Sequence, residues 1–228
     1  MRSTERVVVV GASGFGRETL DVLEAMVAAG RSIDITGVVD DQPSEMNLQR
    51  LANRNVAYLG TMEQWLSKAD RKDKFVLGIG SPSVRRYLVA QLEKAGLTPF
   101  TAVHPTATFG ARTQLLDGVV VCAGATVSTN VRLGRYVHVN PHATIGHDAV
   151  LYDFVSINPA ATISGEVEIG EGTLVGAAAT ILQNLTVGER TVVGAGAVVT
   201  KNMPSEVVVK GVPGTWLAQE QTEKHVQR

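Results

Sequence analysis

The 228-residue sequence predicts two architectures in series, a small parallel α/β domain followed by a β-solenoid built from six-residue blocks. Three observations carry this. From Val103 to Pro204 the chain reads as 17 consecutive hexads, each opening with Val, Leu, Ile or Phe, with no residue inserted. Before that stretch, valine-rich runs alternate with helical patterns. Between the first run and the first helical pattern stands the glycine-rich turn GASGFG, Gly11 to Gly16.

The opening segment predicts short elements in alternation. Arg6–Val10 is a strand, and Leu20, Leu23 and Val27 mark a helix that stops at Gly30. Ile35–Val39 is a second strand ending in Asp40 and Asp41. Residues 42–60 read as irregular and Met62–Ala69 as a short helix. Phe75–Ile79 is a third strand running into Gly80-Ser81-Pro82. Ser83 is the expected N-cap of a helix reaching Ala95, with Gly96 as its stop. Strand–helix alternation of this kind predicts a small Rossmann-like parallel sheet over residues 1–100.

The hexads predict the second domain, residues 101–213. The second place is Gly in seven blocks and Asn in two (Asn140, Asn158), and the fifth is Ala, Val or Thr in 15 of the 17. Such spacing fits neither an amphipathic helix nor an alternating strand. It fits short extended segments that turn a corner and begin again. Gly and Asn at the second place predict corners with positive φ there. One block cannot bury its own apolar face, so the coils must stack and share a column of aliphatics.

Composition limits the function classes. The net charge of −1 offers no basic excess for nucleic acid or an anionic membrane surface. No apolar run approaches the ~20 residues of a membrane span. The N-terminus lacks signal-peptide organisation, and Cys122 is the only cysteine, which together predict a reducing, cytoplasmic setting. Cys122 sits at the second place of a block and reads as structural.

Two groups of residues carry chemistry. GASGFG between a strand and a helix places backbone N–H groups where a phosphate binds, although a ligand-free tight turn gives the same pattern. A dinucleotide site would use Asp40 or Asp41 for its ribose. The second group is His147-Asp148. A histidine is suited to take a proton near neutral pH, and an adjacent carboxylate raises or orients its basicity. A solvated corner histidine beside a solvated aspartate fits the residues equally.

The opening GASGFG, VVDD (Val38–Asp41), LGIGS (Leu77–Ser81), His104-Pro105, the Asn140–Asp148 segment and the closing GVPG (Gly211–Gly214) together resemble one family. It is the bacterial sugar acetyltransferases, typified by sialic acid O-acetyltransferases and UDP-4-amino-sugar N-acetyltransferases. The resemblance implies a left-handed parallel β-helix with three hexads per triangular coil. It implies a nucleotide-sugar pocket in which Ser13, Gly14 and Phe15 line the diphosphate or sugar, Asp40 and Asp41 contact the base, and Gly80 closes the site. Phe15 stands where many members carry His. His147 becomes the general base and Asp148 its tuning acid, with Asn140 near the reacting group. Ser156 replaces a second histidine that contacts acetyl-CoA in many members. Gly165, Ala177 and Ala195 supply a small-residue path for the pantetheine chain. The implied assembly is a homotrimer with sites between neighbouring solenoids. Residues 214–228, with Trp216 and Leu217, are expected to form a helix over the last coil.

The function expected is acetyl transfer from acetyl-CoA to an amine or hydroxyl of a nucleotide-linked sugar by direct attack. No metal and no nucleic-acid or membrane partner is expected. The alternatives are an O-acetyltransferase on a free sugar or polysaccharide precursor, a zinc enzyme and a non-catalytic solenoid. His142 and His147 have the spacing of two ligands in hexapeptide-repeat carbonic anhydrases, but Thr106 occupies the third position and His104 is two residues out of register.

Overall fold

The computed structural model describes residues 4–219 and divides after Pro105 into two compact units. The first is a four-stranded parallel sheet. Its elements are β1 (Glu5–Val10), α1 (Gly14–Ala28), β2 (Ile33–Val39), α2 (Glu45–Ala52), α3 (Met62–Leu66), β3 (Lys74–Leu77), α4 (Pro82–Lys94) and β4 (Thr98–Pro99). The strand order is β2-β1-β3-β4. Because β2 and β3 flank β1 on opposite sides, their connections leave its C-terminal end in opposite directions and open a crevice there. Val7, Val8 and Val9 are fully buried in that central strand.

Two local expectations are corrected. Residues 42–60 are not all irregular, since α2 occupies Glu45–Ala52, capped by Ser44, whose hydroxyl accepts the Asn47 N–H at 3.2 Å. Only Leu51 of this helix is buried, and its apolar positions Leu48, Leu51 and Ala52 cover a single turn, too short a period to stand out in the sequence. Helix α4 starts at Pro82 with Ser81, not Ser83, as N-cap. Proline at the first helical position needs no N–H partner, and it holds the preceding serine extended.

The second unit is a parallel β-solenoid, as the hexads predict, with the three faces that the family resemblance implies. One face stacks Thr108–Phe109, Thr126–Val127, Thr144–Ile145, Thr162–Ile163, Thr180–Ile181 and Val198–Val199, and we call it the threonine face. A second stacks Gln114–Leu115, Arg132–Leu133, Val150–Leu151, Glu168–Ile169 and Thr186–Val187. The third runs through Val120–Val121, His138–Val139, Ser156–Ile157, Leu174–Val175 and Val192–Val193 to Val207–Lys210. Residues 18 apart pair in register, as Thr126, Thr144 and Thr162 do. The first-place residues from Val121 to Val199 point inward and are at most 1% exposed.

The conformational strain sits at a different place from the one the glycines suggest. Positive φ occurs at the fourth residue of every hexad from Arg112 to Gly196, not at the second. Eleven of these are not glycine, among them Asn130 (58°), His142 (58°), Asp148 (61°) and Glu166 (58°). Each such residue costs about 1–2 kcal/mol in isolation. The offset is a ladder of hydrogen bonds between coils. The N–H of Asp148 donates to the Thr129 carbonyl and that of Glu166 to the His147 carbonyl, at 3.0 and 2.8 Å.

The second-place glycines answer to a steric demand. A Cβ at Gly146 would lie 2.5 Å from Ser164 C and 2.6 Å from Gly165 N, and Gly110, Gly170 and Gly188 face the next coil's backbone in the same way. We predict that Gly146→Ala forces the coils apart and lowers stability by about 1–3 kcal/mol, the usual cost of overpacking. A thermal melt within 1 °C of the parent would contradict it.

The C-terminal helix is also corrected in its described part. Thr215–Ala218 is a strand, antiparallel to Val207–Lys210 across the Gly211–Gly214 turn. Trp216 and Leu217 therefore lie in a hairpin at the sheet edge, where β-branched and aromatic side chains are favoured. The Lys201 ammonium stands 4.7 Å from the Trp216 ring centre. The rest of the expected helix, residues 220–228, lies outside the described residues. Among the described residues no helix is long and apolar enough to cross a membrane.

Candidate active site

In the first unit the C-terminal ends of the strands frame a cleft of about 340 Å³. Gly11, Asp40, Asp41, Met62, Ile79 and Tyr87 are among the residues that line it. The motif's three glycines have separate reasons. A Cβ on Gly11 would meet Gly78 O at 2.7 Å, and one on Gly16 would meet Gly11 O at 1.9 Å, so the fold itself requires both. A Cβ on Gly14 would meet nothing within 4 Å. The same is true of Gly80, three residues beyond β3. Packing therefore explains two glycines of the turn and leaves Gly14 to be explained by what approaches it.

Helix α1 begins at that open glycine. Ser13 is its N-cap but makes no side-chain capping bond, and no acidic residue occupies the first turn. The first turn of the helix therefore carries neither a side-chain cap from Ser13 nor a carboxylate of its own. Arg17, on the same helix, donates to the Ala12 carbonyl at 3.0 Å and to Asn47 Oδ1 at 2.7 Å, which fixes a cation beside the turn. Neither Arg17 nor Asn47 was expected from the sequence, because the contact joins two helices across an unread loop.

The two aspartates have structural duties as well as a place in the cleft. Asp40 accepts the Ala12 N–H at 2.7 Å and the Gln42 N–H at 2.9 Å. Asp41 accepts the Met62 N–H at 2.7 Å and so caps α3. Arg85 is fully buried beneath the site, and its Nη1 donates to the Ile79 and Gly80 carbonyls, both at 3.0 Å. Burial pushes this guanidinium down to about 9. Tyr87, 69% exposed on α4, puts an aromatic face at the rim and was also missed.

In the solenoid, His147 and Asp148 lie at the corner between the threonine face and the second face. His147 Nδ1 is 2.7 Å from Asp148 Oδ2, and Asn130, one coil earlier, donates to Asp148 Oδ1 at 2.9 Å. The Asn130 amide, and after it the imidazole, hold the Asp148 carboxyl below the usual carboxylate range. An ionised Asp148 can only accept, so Nδ1 carries the proton and Nε2 presents a lone pair. Glu166, one coil later, brings a ligand atom within 4.8 Å of those of His147 and Asp148.

The other expected residues are distributed differently. Gly165 lies beside His147, where a Cβ would stand 2.5 Å from both Nε2 and Cε1 of the imidazole. Asn140, Ala177 and Ala195 lie at the next corner, between the third and threonine faces. Asn140 is only 7% exposed and donates to the Ile157 carbonyl and Asn158 Oδ1, as a structural rung between coils. Ser156 is buried on the third face between His138 and Leu174. His142 belongs to the Asn140 corner and packs on Gly124, so within one chain it does not share a site with His147.

Comparisons with known proteins agree with this architecture and with the family resemblance. Residues 6–92 match the PglD N-terminal domain model, and residues 166–201 match the bacterial transferase hexapeptide model. A GDP-perosamine N-acetyltransferase of Escherichia coli O157:H7 is 28% identical over 135 residues, a match spanning 58% of each chain. Among solved structures, a histidine mutant of perosamine N-acetyltransferase from Caulobacter crescentus, in complex with CoA and GDP-perosamine, superposes with a TM-score of 0.83. It is 25% identical, covering 95% of this chain and 98% of that one. The acetyltransferase domain of PglB from Neisseria gonorrhoeae, in complex with acetyl coenzyme A, gives 0.82 at 28% identity, covering 94% and 100%.

Proposed function

We propose that the chain is an acetyl-CoA-dependent N-acetyltransferase acting on a nucleoside-diphosphate amino sugar, with His147 as general base. The observation that carries this is the hydrogen-bonded row Asn130–Asp148–His147, which leaves Nε2 as the free acceptor. The nucleotide part rests on the open Gly14, the uncapped α1 and the carboxylate-lined cleft. The choice of nitrogen over oxygen rests on the similar proteins, which are sugar N-acetyltransferases.

The chain's groups suit an acyl-CoA. The N–H of Gly165 has no hydrogen-bond acceptor among the described residues, and a Cβ on this residue would lie against the His147 ring. It is placed to donate to a thioester carbonyl oxygen as charge develops there. Gly176, Ala177, Gly194 and Ala195 form a path without bulky side chains at the other corner. When bound, acetyl-CoA supplies the activated acetyl group.

His147 Nε2 accepts a proton from the acceptor amine as its nitrogen attacks the thioester carbon. The C–N bond forms, the C–S bond breaks, and the proton passes to the departing sulfur. Asp148 stabilises the transient imidazolium and Asn130 holds Asp148. No acyl-enzyme is required, and the products are the acetamido sugar and CoA thiol.

A homotrimer completes this reading. One chain places the base at one corner and the expected cofactor residues Ala177 and Ala195 at another. Packing a corner of one copy against a neighbour's would gather both sets. The reading is tested by incubating the protein with acetyl-CoA and GDP-, UDP- or dTDP-linked 4-amino sugars, following thiol release and product mass. Thiol release with an acetylated amine is expected. Acetylation of hydroxyl acceptors alone would overturn the choice of nitrogen.

A further inference from the structure

The His147–Asp148 pair spans a single coil, yet the groups that immobilise it come from the coils on either side. Asn130 precedes Asp148 by 18 residues and gives its amide N–H to Oδ1. Gly165 follows His147 by 18 residues, and the imidazole lies so close over its backbone that a methyl there would contact Cε1 and Nε2 at 2.5 Å and Cδ2 at 3.0 Å. No backbone atom is among those contacts. Gly146 differs, because its forbidden Cβ contacts are all backbone. Gly165 has no positive φ, so turn geometry does not demand glycine there, and the three atoms nearest an added Cβ all belong to the imidazole.

We propose that Asn130 and Gly165 are positioning residues of the base. Asn130 fixes the carboxylate from the coil before, and Gly165 seats the ring from the coil after. Together they hold Nδ1 on Asp148 and direct Nε2 outward. The proposal rests on His147 being the base, and it assigns Gly165 a duty separate from any contact with the acyl donor. The charged groups facing the ring are Asp148 on its own coil and Glu166 on the next. The pair is exposed, with His147 57% and Asp148 43% accessible, so neighbouring side chains do not otherwise lock the ring. That makes the two supports decisive for its orientation.

Two substitutions isolate the effect. Gly165→Ala adds one methyl whose clash falls on a movable side chain. Asn130→Gly removes the amide without backbone strain, since glycine accepts the φ of 58° at that position. Each should lower kcat by roughly 10- to 100-fold, the scale of an ångström-sized misplacement. The KM for acetyl-CoA should stay within about twofold, and in a His147→Ala background neither change should lower kcat further. Nitrogen-15 NMR of the His147 imidazole supplies a readout free of turnover. The parent should show one tautomer with the proton on Nδ1, and both variants a mixture. An equal loss of kcat in the His147→Ala background overturns the proposal. So does a raised Kd for acetyl-CoA with kcat and tautomer intact, which would make Gly165 a donor-binding residue only. If the parent acetylates nothing yet the tautomer responds as stated, the functional reading fails and the positioning stands.

Discussion

His147→Ala is expected to lower kcat by about 10²–10⁴, the contribution of a positioned general base, while acetyl-CoA binding and the thermal melt remain close to the parent's. The side chain is exposed and carries no apolar load, so its loss leaves no cavity. Asp148→Asn should cost less, because the amide oxygen still accepts from Nδ1. Its signature is in the pH profile. The Asp148 carboxyl is held below the ordinary range by Asn130 and then by His147. A depressed carboxyl stays ionised until the pH falls through its lowered value, so it is charged throughout the range where imidazole titrates. The part of any fall in kcat/KM that comes from neutralising Asp148 should therefore appear only in strong acid, and Asp148→Asn, which has no such charge to lose, should show its reduced activity across the whole neutral range. Near-normal turnover by His147→Ala at neutral pH would remove it from the mechanism.

Most of the solenoid was legible because its rule is one-dimensional. A buried aliphatic every sixth place and small residues at the fifth follow from stacking identical coils, whereas pairing 18 apart came with the family resemblance. The corners were misread for a physical reason. Glycine is used both for positive φ and for close backbone approach, and spacing alone does not tell them apart. Here the second-place glycines serve approach, while the strained fourth place is taken by eleven other residues, Asn130, His142, Asp148 and Glu166 among them, and by four glycines. The same ambiguity touched Gly165, which the family resemblance ties to the cofactor and the structure also sets beneath His147.

The candidate site was legible where a motif is contiguous and obscure where it crosses coils or loops. His147 and Asp148 are neighbours in sequence, so the pair could be named. Asn130 joins them only through the coil period, yet stepping 18 residues back from Asp148 would have found it. In the first unit, GASGFG and the two aspartates mark the cleft, but Arg17, Asn47 and Tyr87 depend on how helices turn around it. No period links those positions, so only the folded chain brings them together.

Gly14→Val should separate the two units' tasks. A branched side chain at the start of α1 would fill the space an anion needs at the helix N-terminus. Because a Cβ at Gly14 meets nothing within 4 Å, the protein itself has room for it. The melt should stay within about 3 °C, less than 1–2 kcal/mol for a chain of this size. The acceptor KM should rise by roughly 10- to 100-fold, equivalent to about 1.4–2.8 kcal/mol of lost binding. The Kd for acetyl-CoA should remain within about twofold, since sites with no shared contacts behave independently. Gly16→Ala is the contrasting control, because its Cβ would stand 1.9 Å from Gly11 O and must disrupt the turn itself. Calorimetry with GDP, UDP and NADH on the parent and on Gly14→Val makes the comparison direct. A nucleoside diphosphate bound by the parent and lost in Gly14→Val supports an anion seated on the glycine turn. If the parent binds NADH and neither diphosphate, the first hundred residues serve a dinucleotide, and Asp40 or Asp41 holds a ribose instead of a base.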